Sequence, residues 1–233
     1  MKGKLYLIPN LLGEGQPDEM LAPYVLKIIQ GIRFFIVEEI RTTRRFLAKV
    51  GMSGSIDSLT FYVLNEHTKP QEIQSYLDPV ENNDIGVISE AGVPGVADPG
   101  YDVVRLAHQK GIQVIPLPGP SSILMAVMAS GLNGQNFAFN GYLPVKRPER
   151  IAKIKFYEKR VLTENQTQVF IEAPYRNMQL LEDLLNTCLS ATMLGIAVDI
   201  SVATEFIHTR TIEQWKKNVP QIHKRPAIFM IGR

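Results

Sequence analysis

The fold is indicated most clearly by residues 85–100, which read IGVISEAGVPGVADPG. Residues 85–89 predict a short, fully buried strand, and a loop rich in glycine and proline follows it directly. Residues 101–110 then predict an amphipathic helix. A buried strand that ends in such a loop is typical of an open parallel sheet, where ligands lie beyond the carboxyl ends of the strands. We therefore expect a bound small molecule at this loop.

Short apolar runs alternate with amphipathic stretches through the rest of the first half of the chain. The predicted strands are residues 5–9, 34–38, 59–64, 85–89 and 113–116. The predicted helices are residues 17–30, 42–50, 70–77 and 101–110. The connections are long enough for a helix to cross over between parallel strands. The first half is therefore predicted to be a parallel sheet with helices on both faces.

A break occurs at residues 117–122, LPGPSS, where two prolines and a glycine oppose a continuous strand or helix. We place the domain junction there, with an N-terminal domain of residues 1–117 and a C-terminal domain of residues 118–233. The predicted helices of the second domain are residues 121–130, 148–159 and 175–188. Its predicted strands are residues 137–142, 168–172, 193–198, 201–207 and 227–231. This pattern indicates a second α/β domain with a mixed sheet.

The composition is that of an ordinary globular protein, since 45% of the 233 residues are hydrophobic and 21% are charged. The only cysteine, Cys188, lies in a leucine-rich segment and is predicted to be a buried thiol in a reducing compartment. The N-terminus lacks the apolar segment and cleavage site of a secretory signal, and the longest apolar run, residues 123–129, is too short to cross a bilayer. We expect a cytoplasmic protein without membrane association.

Positive charge is concentrated between residues 146 and 160, although the formal net charge is only +2. The basic side chains there are Lys146, Arg147, Arg150, Lys153, Lys155, Lys159 and Arg160. The same stretch contains two acidic residues, Glu149 and Glu158. Such a cluster is typical either of a solvent-exposed helix face or of a surface that contacts phosphates.

Several segments follow one another in an order that is similar to a known family. They are residues 38–44 (EEIRTTR), 64–68 (LNEHT), 89–100 (SEAGVPGVADPG), 114–122 (VIPLPGPSS), 139–144 (FNGYLP) and 171–176 (IEAPYR). Together these segments resemble the tetrapyrrole-methylase superfamily and, within it, the family of ribosomal RNA small subunit methyltransferase I. The resemblance spans nearly the whole chain.

This resemblance implies two α/β domains of the tetrapyrrole-methylase type, S-adenosylmethionine in the cleft between them, and a homodimer. It also implies methylation of a cytidine ribose 2′-hydroxyl, with ribosomal RNA or the small ribosomal subunit as the partner. The cofactor-binding residues that it implies are Pro9, Ala91, Gly92, Val93, Pro94, Ser121, Ser122, Tyr142, Leu143 and Ala227. Two alternatives remain open: a tetrapyrrole (corrin or porphyrin) C-methyltransferase, and a non-catalytic relative that binds cofactor or RNA.

Methylation of a ribose hydroxyl requires a base or a strong hydrogen-bond acceptor, because the hydroxyl has a high pKa. The candidate acceptors are carboxylates near the ends of predicted strands, namely Glu38, Glu39, Glu66 and Glu90. Glu39 and Arg41 are the candidate catalytic residues. An exposed Glu39–Arg41 ion pair without a catalytic role is the alternative interpretation.

Candidate substrate-binding residues occur in the second domain. They are Lys146, Arg147, Arg150, Glu172, Tyr175 and Arg176. Arginine is planar and permanently charged, which suits it to phosphate, whereas a Glu172–Arg176 pair that braces its own helix start is the alternative. Asp98 is predicted to cap the helix at residues 101–110. No spacing of histidine, cysteine and carboxylate residues predicts a metal site.

The chain departs from the family's motifs where substrate handling is expected. Glu90 stands at an aspartate position, Val93 at a threonine position, and Ala173 at a serine or threonine position. Residues 203–208, ATEFIH, stand where the family has R-E-L-T-K and therefore lack its arginine and lysine. Because cations supply most non-specific RNA affinity, we expect fewer phosphate contacts from this segment.

Overall fold

The structure, a computed structural model, describes residues 2–65 and 67–233. Contacts between Cα atoms divide the chain into two compact units, Met1–Ser121 and Ser122–Arg233. Each unit contains a five-stranded sheet. The domain boundary between residues 117 and 118 and the cofactor cleft between the domains stay predictions.

The first unit contains a parallel sheet. Its strands are β1 (Leu5–Ile8), β2 (Phe34–Val37), β3 (Thr60–Val63), β4 (Ile85–Ile88) and β5 (Val114–Pro116). They lie in the order β3-β2-β4-β1-β5, and every neighbouring pair is parallel. All four residues of the central strand β4 are buried, as expected for a strand that is covered on both faces. The predicted parallel sheet is confirmed.

Helices cover both faces of this sheet. They are α1 (Pro17–Met20), α2 (Pro23–Gly31), α3 (Ile40–Leu47), α4 (Pro70–Tyr76) and α5 (Gly100–Gln109). Phe35 belongs to a hydrophobic cluster with residues of α2 and α3, whereas the next residue, Ile36, belongs to a cluster with residues of α4 and α5. Successive strand residues point to opposite faces, so the predicted helix layers are confirmed.

One predicted helix of this unit, residues 17–30, is wrong as a single element. The chain leaves the helix at Leu21 and Ala22 and starts a new one at Pro23. Ala22 is extended, with φ −62° and ψ 145°, because a proline disfavours the helical conformation of the residue before it.

The second unit contains a mixed sheet, as predicted. Its strands are β6 (Phe137–Tyr142), β7 (Thr167–Ile171), β8 (Met193–Val198), β9 (Phe206–Thr211) and β10 (Ala227–Gly232). They lie in the order β6-β7-β10-β8-β9, with β6 and β7 parallel and the other pairs antiparallel. Its helices are α6 (Ser122–Ser130), α7 (Arg147–Glu164), α8 (Asn177–Thr187) and α9 (Ile212–Lys217).

The predicted strand at residues 201–207 is wrong, because the chain turns at its start. Asp199 and Ser201 have positive φ values of 51° and 69°, and the Thr204 hydroxyl donates to Asp199 Oδ2 over 2.7 Å. The strand β9 therefore begins only at Phe206. The short helix α9 was not predicted, although Thr211 and Gln214 form a capping box at its start.

Two predictions that concern the environment of the chain are tested here. Cys188 is buried in the core of the second unit, which confirms the predicted buried thiol. Within the described residues, no helix has the length and apolar character that a bilayer crossing requires.

Candidate functional site

The loops after β1 and β4 meet at the carboxyl edge of the first sheet. Asn10 and Gly92 form an isolated antiparallel bridge, in which the Asn10 N–H donates to the Gly92 carbonyl over 2.8 Å and the Gly92 N–H donates back over 3.2 Å. The Asn10 side-chain amide also donates to the carbonyls of Ser89 and Glu90, over 3.0 and 3.1 Å. Asn10 therefore fixes the loop that follows β4.

Sequence reasoning missed this role of Asn10. The available signal was its position directly after a strand, where an asparagine side chain can hydrogen-bond backbone groups of a turn.

The turn after β5 packs against the same two loops. Gly92 has a φ of +70°, and a Cβ atom there would lie 3.2 Å from Leu12 Cδ2 and 3.4 Å from the Pro120 carbonyl oxygen. A Cβ atom on Gly119 would lie 2.3 Å from the Cβ and Cγ atoms of Pro9, which is closer than real Cβ contacts. The structure thus brings two of the matching segments, residues 89–100 and 114–122, together with the loop after β1. Glycine is favoured at Gly119 by the close contact with Pro9 and at Gly92 by its positive φ.

The loop after β4 is also fixed at its far end. The Asp98 carboxylate accepts from the Gly95 N–H over 2.9 Å and from the Gly100 N–H over 2.7 Å. Gly100 is the first residue of α5, so the predicted capping role of Asp98 is confirmed. Burial raises the pKa of Asp98, and the two backbone donors oppose that rise.

Glu38 follows β2 and lies beside this loop. It is half-buried, and its Oε1 atom accepts from the Glu90 N–H over 3.4 Å. Burial is the largest cause that raises the pKa of Glu38, and the negative charges of Asp98 and Glu90 raise it further. Glu38 is therefore a carboxylate that holds a proton more tightly than an ordinary glutamate.

Glu39 is placed differently from its neighbour. Its two carboxylate oxygens accept from the N–H groups of Arg41 and Thr42, over 2.9 and 2.7 Å, and so cap the start of α3. These backbone hydrogen bonds lower the pKa of Glu39. The interpretation of Glu39 and Arg41 as a simple ion pair is corrected, because the hydrogen bond joins Glu39 to the Arg41 backbone.

The other candidate carboxylates have separate positions. Glu90 is exposed, and its Oε1 atom accepts from the Thr42 hydroxyl over 2.7 Å. Glu66 lies outside the described residues. Among the described residues, no group of three or more histidine, cysteine or carboxylate side chains is arranged to hold a metal ion.

The loop residues that were predicted to bind cofactor differ in exposure. Ala91 is exposed, Val93 is half-buried and Pro94 is buried. Ser121 is half-buried at the end of the first unit, and Ser122 begins α6 in the second.

The predicted cofactor residues farther along the chain belong to the second unit. Tyr142 ends β6 with 60% of its surface exposed, while Leu143 is buried in the core of that unit. Ala227 begins β10 and pairs with Val198 of β8. Because the Leu143 side chain is buried in this core, a ligand at Leu143 would contact its backbone N–H or carbonyl group.

Most of the predicted substrate-binding charges of the second unit have internal partners. Arg150 is only 4% exposed. Its guanidinium donates to Asp183 Oδ2 over 2.8 Å and to the Val145 carbonyl over 2.8 Å. Arg147 donates to the other oxygen of Asp183, over 2.8 Å. Arg150 therefore joins α7 to α8 and is not available to an RNA phosphate.

The segment at residues 171–176 is also braced internally. The buried Glu172 carboxylate accepts from Arg176 Nη2 over 2.6 Å and from the Ala173 N–H over 2.7 Å. This contact is the helix-start brace that was the alternative interpretation. Tyr175 is 62% exposed, and the Arg176 guanidinium lies 5.3 Å from the centre of its ring. Tyr175 and Arg176 thus present an exposed aromatic face beside a cation.

No protein-family model matches the chain. The chain is similar to ribosomal RNA small subunit methyltransferase I of Escherichia coli O157:H7, with 29% identity over 99% of this chain and 78% of the relative. The protein of the same name from Vibrio cholerae is 31% identical over 90% of this chain and 66% of the relative. The one from Xylella fastidiosa (strain Temecula1) is 30% identical over 82% of this chain and 67% of the relative.

Solved structures of methyltransferases share the fold. The methyltransferase CobJ has a TM-score of 0.67 at 15% identity, over 99% of this chain and 94% of that chain. The uroporphyrin III C-methyl transferase from Thermus thermophilus has a TM-score of 0.61 at 18% identity, over 99% of this chain and 98% of that chain. The resemblance that the motifs indicate, and the tetrapyrrole-methylase fold that it implies, are confirmed.

Proposed function

Because this chain belongs to the family of ribosomal RNA small subunit methyltransferase I, we propose that it transfers a methyl group from S-adenosylmethionine to a cytidine 2′-hydroxyl of small-subunit ribosomal RNA. The observation that carries the proposal is the joining of the turns after β1, β4 and β5 through the Asn10–Gly92 bridge and the Pro9–Gly119 contact. These turns lie at the edge of a parallel sheet where ligands bind.

The residues present fit the methyl donor. When bound, S-adenosylmethionine supplies the methyl group from its sulfonium. The turns at Gly92 and Gly119 pack directly against Leu12, Pro120 and Pro9, so the backbone groups of these turns are held in place for a ligand at the sheet edge. The proposed cofactor-binding residues are Pro9, Ala91, Gly92, Val93, Pro94, Ser121, Ser122, Tyr142, Leu143 and Ala227.

Glu38 is the proton acceptor in this proposal. The ribose hydroxyl has a high pKa, and a carboxylate with a raised pKa is a stronger base than an ordinary one. Glu39 is the weaker base, because two backbone N–H groups stabilise its charged form. Glu39 instead positions α3, and through it Arg41, whose exposed guanidinium is a cation for the RNA phosphates.

The second unit contributes RNA contacts through the exposed side chains of Lys146, Arg147 and Tyr175. Arg176 is partly buried and paired with Glu172, and it lies beside the Tyr175 ring. A tyrosine beside an arginine suits an unstacked base of a structured RNA. Arg150 and Glu172 are left out, because both are buried. The family resemblance further supports a homodimer that acts in the cytoplasm, where small ribosomal subunits assemble.

The decisive experiment supplies methyl-labelled S-adenosylmethionine together with small ribosomal subunits from cells that lack this protein. We expect label in the RNA at a cytidine, within a dinucleotide that resists alkaline hydrolysis because its 2′-oxygen is blocked. A parallel reaction contains uroporphyrin III in place of the subunits. Label in the ring alone would assign the enzyme to the tetrapyrrole substrates, and cofactor binding without transfer to either acceptor would make it a non-catalytic relative.

A further inference from the structure

The helix α3 and the π-helical turn that continues it, Ala48–Met52, present a row of cations beside the candidate site. Arg41, Arg45 and Lys49 are exposed and are spaced four residues apart, so they lie on one side of the helical segment. The opposite side is buried through Phe46, Leu47 and other apolar residues of the first unit. Successive members of the row rise by about 6 Å along the helix axis.

This row, Arg41, Arg45 and Lys49, has no directly paired carboxylate among the described residues, although the charges of Arg41 and Glu39 attract each other. Within residues 2–65 and 67–233, none of its members forms a salt bridge with a carboxylate, whereas their neighbour Arg44 pairs with Asp57. The Lys49 ammonium donates to the Gly15 carbonyl over 3.0 Å, which fixes its position and leaves two further N–H donors.

The helix α7 is a contrasting case within the same chain. Its charges include Arg150 and Arg147 on Asp183, Lys146 on Glu149, and Arg160 on Glu164. Lys153, Lys155 and Lys159 of α7 are exposed and, within the described residues, form no salt bridge. The row is distinguished from them by the cavity that it borders.

A cavity of about 260 Å³ borders the row. It is lined by Arg45 and Lys49, by residues 10–13 after β1, and by Thr42, Phe46, Glu90 and Ala91. A water molecule occupies roughly 30 Å³ in the liquid, so the cavity volume equals that of several water molecules. This is enough space for a phosphate group and part of a ribose. Its walls include Ala91 of the loop after β4, so it adjoins the proposed cofactor loop.

We propose that Arg45 and Lys49 bind an RNA phosphate in this cavity, close to the nucleotide that is methylated. The inference rests on the proposed function and adds to it the place where the RNA backbone is held. Two cations suit a phosphodiester, and arginine binds phosphate oxygens in a bidentate manner.

Glu90 and Thr42 also line the cavity, and they are joined by a hydrogen bond of 2.7 Å. A carboxylate repels phosphate but accepts from a ribose hydroxyl, and the 2′-hydroxyl is the group that distinguishes RNA from DNA. The cavity thus contains both cations for a phosphate and a carboxylate acceptor for a sugar hydroxyl, which are the two kinds of group that a ribonucleotide requires.

The test compares two double variants that remove the same charge. Arg45→Gln with Lys49→Gln removes the two cations that line the cavity, and Lys155→Gln with Lys159→Gln removes two exposed cations of α7. Binding to purified small ribosomal subunits is measured over a series of salt concentrations, and binding to S-adenosylmethionine is measured by calorimetry. Melting curves check that each variant is folded.

We expect the α3 variant to lose roughly tenfold in affinity for the subunits. The slope of log affinity against log salt should fall by roughly 1, because both cations bind the same phosphate. The α7 variant should differ little from the wild type, and cofactor affinity should be unchanged in both. Equal effects of the two variants, or an unchanged salt slope in the α3 variant, would overturn the inference while leaving the proposed function intact. A wild-type protein that neither binds nor methylates the subunits would overturn both.

Discussion

Glu38 and Glu39 are adjacent in sequence, but their environments shift their pKa values in opposite directions. Glu38 is half-buried near two other carboxylates, so its charged form is disfavoured. Glu39 is exposed and accepts two backbone hydrogen bonds, so its charged form is favoured. Two identical side chains are therefore suited to different roles, one as a base and one as a helix cap.

The role of Glu38 is tested by the pH dependence of methyl transfer. A base must be deprotonated to act, so kcat/KM should rise with pH through the raised pKa of Glu38, above the usual range of a glutamate. Glu38→Gln should lower kcat at least a hundredfold, roughly the contribution of general base catalysis, and should remove this limb of the profile. Retention of both the rate and the limb in Glu38→Gln would exclude Glu38 as the base.

The melting temperature of Glu38→Gln is the control that separates loss of a base from loss of the fold. Because the folded-state pKa of Glu38 is raised, its ionisation opposes folding as pH rises through that pKa. Glu38→Gln should therefore melt no lower than the wild type at neutral pH. The pKa of Glu39 is lowered in the folded state, so the charged carboxylate stabilises the fold at pH values above its unfolded pKa, and this stabilisation is lost as pH falls. Glu39→Gln should therefore melt at a lower temperature than the wild type at neutral pH. We expect Glu39→Gln to keep the pH profile of the wild type.

At the scale of elements, α7 and α8 are joined by a buried ion pair. Asp183 is 2% exposed and accepts from both Arg150 and Arg147. Removal of one partner from a buried pair typically costs about 3–5 kcal/mol. Because Arg147 still binds one oxygen of Asp183 when Arg150 is removed, we expect a cost at the lower end of that range.

The variant Arg150→Met should lower the free energy of unfolding by roughly 3 kcal/mol, measured by chemical denaturation. The exposed Lys155→Met on the same helix is the matched control, and its effect should stay within about 0.5 kcal/mol. In conditions where Arg150→Met remains folded, the salt dependence of RNA binding should match that of the wild type. A reduced salt slope would instead return Arg150 to the RNA-binding surface.

The elements that the sequence predicts well are those whose pattern is local. The strand β4 is a short apolar run followed by glycine and proline, and β8 was placed at its observed bounds. The break between α1 and α2 depends on Pro23 within a helical pattern, and the start of β9 depends on positive φ values at Asp199 and Ser201. Backbone conformations of this kind override hydrophobic periodicity.

The candidate site was less predictable than the fold, because partners distant in sequence decide what a charged residue does. The sequence predicts that Arg150 is an exposed cation, whereas in the structure Arg150 binds Asp183, which lies thirty-three positions away in the sequence. The Asn10 side chain binds the carbonyls of Ser89 and Glu90, which lie 79 and 80 positions away in the sequence. Neither pairing has a periodic or compositional signal, so only the folded chain identifies them.

At the scale of the whole molecule, the formal net charge of +2 is too small to drive RNA binding by itself. Affinity for the phosphate backbone must therefore come from local groups of cations, and its salt dependence counts those groups. Cofactor binding is a separate property, because the turns that carry it act mainly through backbone groups. The two properties should thus be separable by mutation.

Cofactor binding should be visible as stabilisation of the folded protein. S-adenosylmethionine at a hundred times its Kd should stabilise the fold by about 2.7 kcal/mol, which corresponds to a rise in Tm of roughly 5–10 °C for a chain of this size. Gly92→Ala should reduce this rise at the same cofactor concentration, because its added methyl group enters the turn that adjoins Leu12 and Pro120.

The matched control for this last prediction is Gly95→Ala. Gly95 has a φ of +82°, close to that of Gly92, but no atom lies within 4 Å of its added Cβ. Both variants therefore carry the backbone strain of a left-handed alanine, and only Gly92→Ala fills the contact between the turns. The strain should lower Tm in both variants, while the cofactor-induced rise should be preserved in Gly95→Ala alone. An equal rise in the two variants would mean that the cofactor does not bind at the turn of Gly92.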